Sequence, residues 1–406
     1  MIGNKLNSTI AFVLFSIIVF FPTYIGGLSL HAGQKFLYLL FPLFIILFLI
    51  GRRKVEIPTI SVVLFILFVF FLITVISKVE FINIQIALAH FRYLAYFFVF
   101  TVSYNIARRF KVTLGELRGA LICLVSIILL FVIAQLLLPE LIMKFGITNR
   151  EGIGRLGLRI GGPFVWSYSY GFALMPIFYM IYFSLVKGDA NLNLILLLGL
   201  ILLTVLAGQS KAAYLAYVAA FIFFIPMSYR YGNKKHASIF LLSLLLIVLA
   251  LGVYVAANLE EFGNIHRFIV ALSSEGADAS TQTRLNQLFY IKKTLDENIL
   301  LGYPINYIII ENGYGYYLYN YGVVGLLCYL SLLCFLFLSA YKAVHLAHKN
   351  CNLTNNDKTV TLGYLAFVIG AIVFSLANSP LDGHKVAYFF WTFSGLFWGS
   401  FKNQSQ

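Results

Sequence analysis

Residues 58–77 read PTISVVLFILFVFFLITVIS, an apolar run without one ionisable side chain. A helix rising about 1.5 Å per residue covers roughly 30 Å over such a length, the thickness of the hydrocarbon core of a bilayer. Arg52, Arg53 and Lys54 stand just before the run and mark its cytoplasmic flank. Outward from it in both directions, further apolar runs fall at 9–27, 36–51, 83–107, 114–138, 164–186, 192–208, 211–228, 237–257, 315–341, 361–378 and 386–401. About twelve spanning helices are expected. The pair 192–208 and 211–228 is also compatible with one broken span, because only Gly208-Gln209-Ser210-Lys211 separates them.

With 61% hydrophobic and 11% charged residues and a mean hydropathy of +0.90, the chain is excluded from the water-soluble globular classes. The expected fold class is all-α, a polytopic integral membrane protein forming one membrane domain over 1–406. An N-terminus in the cytoplasm puts most Lys and Arg of the short loops on that side, as the positive-inside rule requires, and puts the C-terminus there too. Only Glu56, Glu116, Asp189 and Asp357 then lie among the cytoplasmic carboxylates. The formal charge of +14 is therefore a topology signal and a contact with anionic lipid, not an argument for nucleic acid. The first span follows Lys5, runs too long for a signal peptide and lacks a small-residue cleavage site, so an uncleaved start is expected. Cys123, Cys328 and Cys334 fall in spans and Cys351 in a cytoplasmic loop, which leaves no disulfide framework on the outer side.

Two outer loops, 139–163 and 258–315, are long and polar, and structureless loops beyond about 12 to 15 residues are uncommon unless they carry function. They also hold most of the cations on the side where the topology rule disfavours them, and an anionic ligand is the simplest reason. The first loop contains Arg150, Arg155 and Arg159 interleaved with glycines and ends in Ile160-Gly161-Gly162-Pro163. Guanidinium forks bind phosphate bidentately, and glycines let backbone N–H groups approach the same anion; a basic turn touching lipid headgroups would use the same residues. In the second loop, Ser280 or Thr281 caps an amphipathic helix with Leu285, Leu288, Phe289 and Leu295 on its apolar stripe and Lys292 and Lys293 on its flank, seated on the membrane surface. Arg284 then falls in its first turn. A cation there is explained by a shared anion or by an ion pair to Glu275 or Asp278.

The chain re-enters the membrane through Glu311-Asn312-Gly313-Tyr314-Gly315-Tyr316-Tyr317, followed by Gly322-Val323-Val324-Gly325. Partial burial would raise the pKa of Glu311 towards that of a general base and a nearby arginine would lower it; a helix N-terminal acid favoured by the dipole is the plainer use. The tyrosines suit an interfacial belt or a sugar-binding surface. Asp382-Gly383-His384-Lys385 in the last outer loop is an alternative source of a base. Arg92, inside the fourth span beside His90, either snorkels to the interface or contacts a lipid phosphate.

The order of these elements resembles the bacterial polysaccharide polymerase and ligase superfamily: O-antigen polymerases, capsule polymerases and O-antigen ligases. Arg159-Ile160-Gly161-Gly162-Pro163 resembles the family's arginine–glycine entry to a span. Leu206-Ala207-Gly208-Gln209-Ser210-Lys211 resembles its Ser-Arg-Gly turn with lysine for arginine. Thr283-Arg284, the amphipathic helix and Asn298-Ile299-Leu300-Leu301-Gly302 resemble the core of its large periplasmic loop. Asn312, Gly322 and Gly325 keep the spacing of the ligase motif, but Glu311 stands where the ligases carry histidine, and that departure favours the polymerase branch.

The resemblance implies a GT-C-like membrane glycosyltransferase of the bacterial inner membrane with its active site at the periplasmic face. It would move a growing glycan from undecaprenyl pyrophosphate to the non-reducing end of another undecaprenyl-pyrophosphate-linked repeat unit. Its partners would be that lipid-linked oligosaccharide, membrane lipid, a chain-length regulator and a flippase. Arg284, Arg159, Arg155 and Lys211 are the expected pyrophosphate ligands, Glu311 the base, Asn312 an orienting hydrogen bonder, and Tyr314 and Tyr316 sugar contacts. No cofactor or metal is expected, since no aspartate pair presents itself for one. Within the enzyme class the alternative is an O-antigen ligase acting on lipid A core. From another class it is a lipid-linked oligosaccharide flippase or transporter, which would want ionisable groups near the midplane and pseudo-symmetric halves.

Overall fold

The computed structural model describes residues 2–24, 55–76, 84–148, 153–154, 157–189, 191–273, 279–303 and 310–405. Among them are fourteen α-helices and a two-residue hairpin ladder, Ile153–Gly154 against Gly157–Leu158. In chain order the helices are α1 (Ile2–Phe20), α2 (Thr59–Ile76), α3 (Ile84–Arg109), α4 (Leu114–Leu137), α5 (Pro139–Lys144), α6 (Ser167–Val186) and α7 (Leu192–Ala207). They continue with α8 (Lys211–Tyr231), α9 (Lys234–Ala257), α10 (Gly263–Ser273), α11 (Ala279–Glu297), α12 (Gly313–Lys349), α13 (Asn355–Phe374) and α14 (His384–Ser405). The span expected at 36–51 lies outside the described residues, and a helix stands on each of the other eleven. Seven of the described helices are long and apolar enough to cross a membrane, with α7 and the apolar part of α1 shorter. The protein is an all-helical, multi-pass membrane protein by these lengths and compositions.

Residues 192–208 and 211–228 are separate helices, because Gln209 adopts a left-handed φ of 49° and Ser210 starts α8 afresh, its hydroxyl accepting from the Ala213 N–H. α6 and α13 form the centre, buried along nearly their whole lengths and packed on each other. α4, α7 and α8 surround them with one apolar side turned outward, α2 packs on α3 and α12, and α9 is outermost, with Ile239, Leu242, Leu245 and Leu249 exposed. Leucines facing outward cost nothing against lipid, so helix contact in such a bundle depends on close packing. α14 meets α3 in that way: a Cβ on Gly395 would stand 2.5 Å from the Phe100 carbonyl oxygen, and one on Gly399 2.5 Å from that of Tyr104.

The apolar run at 315–341 is not one continuous helix. α12 breaks at Gly322, where φ is 65° and ψ −167°. Broken backbone inside a membrane bundle is tolerated where protein supplies its hydrogen bonds, and the segment after α11 does so. The Tyr303 N–H donates to the Tyr319 carbonyl at 2.7 Å, and the Val323 N–H donates to the Ile299 carbonyl at 2.8 Å. The approach leaves no room for side chains: a Cβ on Gly322 would lie 2.2 Å from the Leu300 carbonyl oxygen, and one on Gly302 2.5 Å from the Gly322 nitrogen. Asn298-Ile299-Leu300-Leu301-Gly302 and Gly322-Val323-Val324-Gly325, read apart in the sequence, are the two halves of one joint that fastens α11 to α12.

Candidate functional site

The joint brings α11 alongside the start of α12. Helix α11 begins at Ala279, so Ser280 and Thr281 sit inside it instead of capping it, and Arg284 falls in the second turn, away from the free N–H groups of the helix start. The helix turns two sides in different directions. Gln287 and Thr294 are buried and Ile291 reaches Gly315, whereas Leu285, Leu288, Phe289 and Leu295 are exposed, as expected of the apolar stripe. Arg284 lies on the inward side. Its Nη2 stands 3.2 Å from Oε2 of Glu311, with both side chains about one-third or more open, 32% and 42%. The Gln287 side-chain oxygen accepts from the Glu311 N–H at 3.0 Å, so one face of α11 fixes both the backbone and the carboxylate of Glu311. Glu275 and Asp278, the other acids considered for Arg284, lie outside the described residues.

Asn312 caps α12. Its Oδ1 accepts from the Gly315 N–H at 2.9 Å, and its Nδ2 donates to the Leu376 carbonyl at 2.7 Å, so both ends of its amide tie this helix to the turn after α13. The Tyr314 hydroxyl donates to the Ile372 carbonyl at 2.8 Å. Tyr316 points the other way, into the bundle, where its hydroxyl meets a guanidinium nitrogen of Arg92.

Arg92 does not snorkel. It lies between the rings of Tyr93 and Tyr316, 5.3 and 5.2 Å from their centroids, and its Nε is 3.5 Å from Oδ1 of Asp382. The pair is far more enclosed than Arg284–Glu311, with side chains 13% and 5% exposed. Oδ1 of Asp382 also accepts from the hydroxyls of Tyr93 at 3.0 Å and Tyr317 at 3.1 Å, while its Oδ2 is buried without a hydrogen-bond partner. The sequence offered both halves, an intramembrane arginine and an acid in the last outer loop, and an intramembrane cation demands a counter-charge; their pairing across almost 300 positions of chain was the part missed.

One turn beyond Asp382, Lys385 is buried, and its ammonium reaches the carbonyls of Pro163 at 3.0 Å, Ile147 at 3.3 Å and Val19 at 3.4 Å. It thereby anchors the end of the arginine–glycine loop. Arg159 in that loop is half-buried, and its Nε has no hydrogen-bond partner. The loop also touches the Gly208 turn, since a Cβ on Gly208 would be 3.1 Å from the Ile160 carbonyl oxygen; Lys211 opens α8 three residues on. Arg159 and Lys211 thus belong to one neighbourhood, joined through Lys385 and Asp382 to Arg92, Tyr316 and the start of α12. Arg155 and the side chains of His90 and His384 lie outside the described residues.

The assembled end of the bundle therefore offers an accessible carboxylate opposed by an arginine, a second carboxylate enclosed among tyrosines, and a separate basic neighbourhood on the arginine–glycine loop. Such a set can take a proton from a hydroxyl and balance charge on a phosphate, each within reach of an aromatic surface. No protein-family model and no curated protein sequence matches the chain.

Proposed function

We propose that this protein is a membrane glycosyltransferase that polymerises lipid-linked polysaccharide repeat units. The observation that carries this reading is the 3.2 Å meeting of Arg284 and Glu311, which come from separate segments of the long loop and were each singled out by residue type and position. In the proposed reaction an acceptor sugar hydroxyl gives its proton to the Glu311 carboxylate as its oxygen bonds to the anomeric carbon of the donor glycan. The bond from that carbon to the pyrophosphate oxygen breaks, and the electron pair leaves with undecaprenyl pyrophosphate. Arg284, relieved of Glu311 when the carboxylate is protonated, balances the developing negative charge together with Arg159 and Lys211. The resting ion pair thus keeps base and clamp mutually neutral until substrate separates them. Tyr314 supplies the aromatic surface beside the acceptor, whereas Tyr316, turned inward against Arg92, holds the start of α12.

The test is complementation of a strain lacking its polymerase. The wild-type chain restores a ladder of long glycans, whereas Arg284→Ala and Glu311→Ala leave single-repeat products at normal protein levels. Full ladders from Glu311→Ala remove it as the base. A ladder that forms without the protein but stays unattached to lipid A identifies a ligase instead, and repeat units stranded on the cytoplasmic side identify a flippase.

A further inference from the structure

At the opposite end of the bundle from Glu311, a cavity of about 390 Å³ is lined by Ser184, Lys187, Gly188, Asp189 and, at the start of α13, Thr354, Asn355, Asn356 and Thr359. Lys187 in that lining is joined by cations beside it from two further helices. Lys187 ends α6, Lys358 lies in the first turn of α13, and Arg118 of α4 reaches the Ser184 hydroxyl at 3.1 Å. Asp189, half exposed and 3.7 Å from Arg118, is the one carboxylate among the described residues of the lining; Asp357 beside it is taken up by the Thr354 N–H and hydroxyl in a capping box. Neither lysine has a carboxylate within ion-pair distance among the described residues, and Nε of Arg118 is buried without a hydrogen-bond partner.

His348 stands behind Lys187. Its Nδ1 is 2.9 Å from the Val344 carbonyl, which can only accept, so that nitrogen carries the proton and Nε2 is left to accept from the Lys187 ammonium at 3.3 Å. Burial, aided by the neighbouring lysines, pushes His348 down to about 4, so it stays a neutral acceptor near pH 7. Burial, and after it the charge of Lys358, push Lys187 down to about 8. Asn355 and Asn356 line the same space, and N–H groups at the start of a helix have no partner within it. An ammonium in the lining, a second ammonium and a guanidinium beside it, and the start of a helix together match a tetrahedral dianion better than a carboxylate.

We propose that this cavity binds a phosphate group, through Lys187, Lys358 and the start of α13, at the cytoplasmic end of the bundle. The phosphate has two possible sources, a soluble phosphate or pyrophosphate and the headgroup of an anionic lipid. The site stands apart from the glycosyl-transfer reading and survives or fails independently of it.

Thermal unfolding of the full-length protein, followed by tyrosine and tryptophan fluorescence in nanodiscs of phosphatidylcholine, tests it. Added inorganic phosphate or pyrophosphate, at constant ionic strength, is expected to raise the midpoint saturably. Lys187→Gln and Lys358→Gln should each weaken that response about tenfold, the loss of one charge-assisted contact, while Lys144→Gln, an exposed cation at the end of α5 outside both proposed sites, should leave it intact. In discs containing phosphatidylglycerol and no phosphate, the same dependence on Lys187 and Lys358 identifies a lipid headgroup as the occupant. A response to phosphate that survives Lys187→Gln with Lys358→Gln together overturns the site, as does the absence of any response in both kinds of disc. Circular dichroism of the glutamine variants separates lost binding from lost folding.

Discussion

Two of the arginine–carboxylate pairs among the described residues, Arg284–Glu311 and Arg92–Asp382, are linked through the same turn of helix, and they are built differently. Arg284–Glu311 is a single contact between half-open side chains, whereas Arg92–Asp382 is enclosed, flanked by Tyr93, Tyr316 and Tyr317 and bonded to the hydroxyls of all three. An exposed pair gains little because water competes for both partners, so it can be opened at small cost. An enclosed pair has already lost its water, and removing one partner strands the other. The open pair is therefore suited to exchange Glu311 for a substrate anion during turnover. The closed pair is suited to hold Tyr316, and with it the start of α12, in place.

The largest effect expected from breaking this contrast is at Asp382. Asp382→Ala leaves the Arg92 charge uncompensated and should cost about 3–5 kcal/mol, read as a collapse of the unfolding midpoint or loss of monodisperse protein in detergent. Arg92→Met combined with Asp382→Leu removes both charges and should recover much of that loss; equal damage from the double and single changes would show that the pair is not a unit. Next comes the joint that sets the open pair's geometry. Gly322→Ala places a Cβ against the Leu300 carbonyl and should destabilise by about 1–3 kcal/mol, measured beside Gly119→Ala, where nothing lies within 4 Å of the new Cβ and no loss is expected.

Breaking the open pair itself should barely register in stability. Arg284→Gln and Glu311→Gln are each expected to shift it by less than about 1 kcal/mol while abolishing glycan ladders, a separation of stability from activity that Asp382→Ala cannot give. The smallest effect sharpens the comparison with a third pair. Glu56, at the other end of the bundle, takes a hydrogen bond from Lys402 at 3.0 Å that holds its carboxyl below the usual range. A lowered folded pKa contributes stability that is complete above the unfolded value near 4.5 and is lost as pH falls through the folded value. Unfolding midpoints taken from pH 6 down to about pH 3 should therefore fall less steeply in Glu56→Gln than in the wild type; parallel curves would show that the contact does not form in solution.

Much of the scaffold was legible because each helix carries its own signal. A run such as 59–76 needs no partner to be apolar over the width of a bilayer, whereas Gly208-Gln209-Ser210 left one broken span or two helices open until the left-handed Gln209 and the Ser210 cap separated them. Less of the site could be read this way. Arg284 and Glu311 were each marked by charge at a membrane boundary, but nothing in either residue names the other. Gly322 was noticed for its spacing, while its backbone role depends on Leu300, which no local pattern connects to it. Lys385 looked like a plain interfacial charge, yet three carbonyls from α1, the loop after α5 and the arginine–glycine loop enclose it.

By itself, the sequence determined an all-helical protein of the membrane and the placing of its ionisable groups near the ends of its helices. Those properties follow from transfer of apolar side chains and backbone out of water, which acts on each segment separately. The tertiary structure alone decided which charges face each other, that α12 is broken and refilled by the chain after α11, and that Arg92 pairs with Asp382. Those outcomes depend on contacts between segments distant in sequence, and at such contacts the cost of a buried charge or an unpaired N–H is met only by a particular partner.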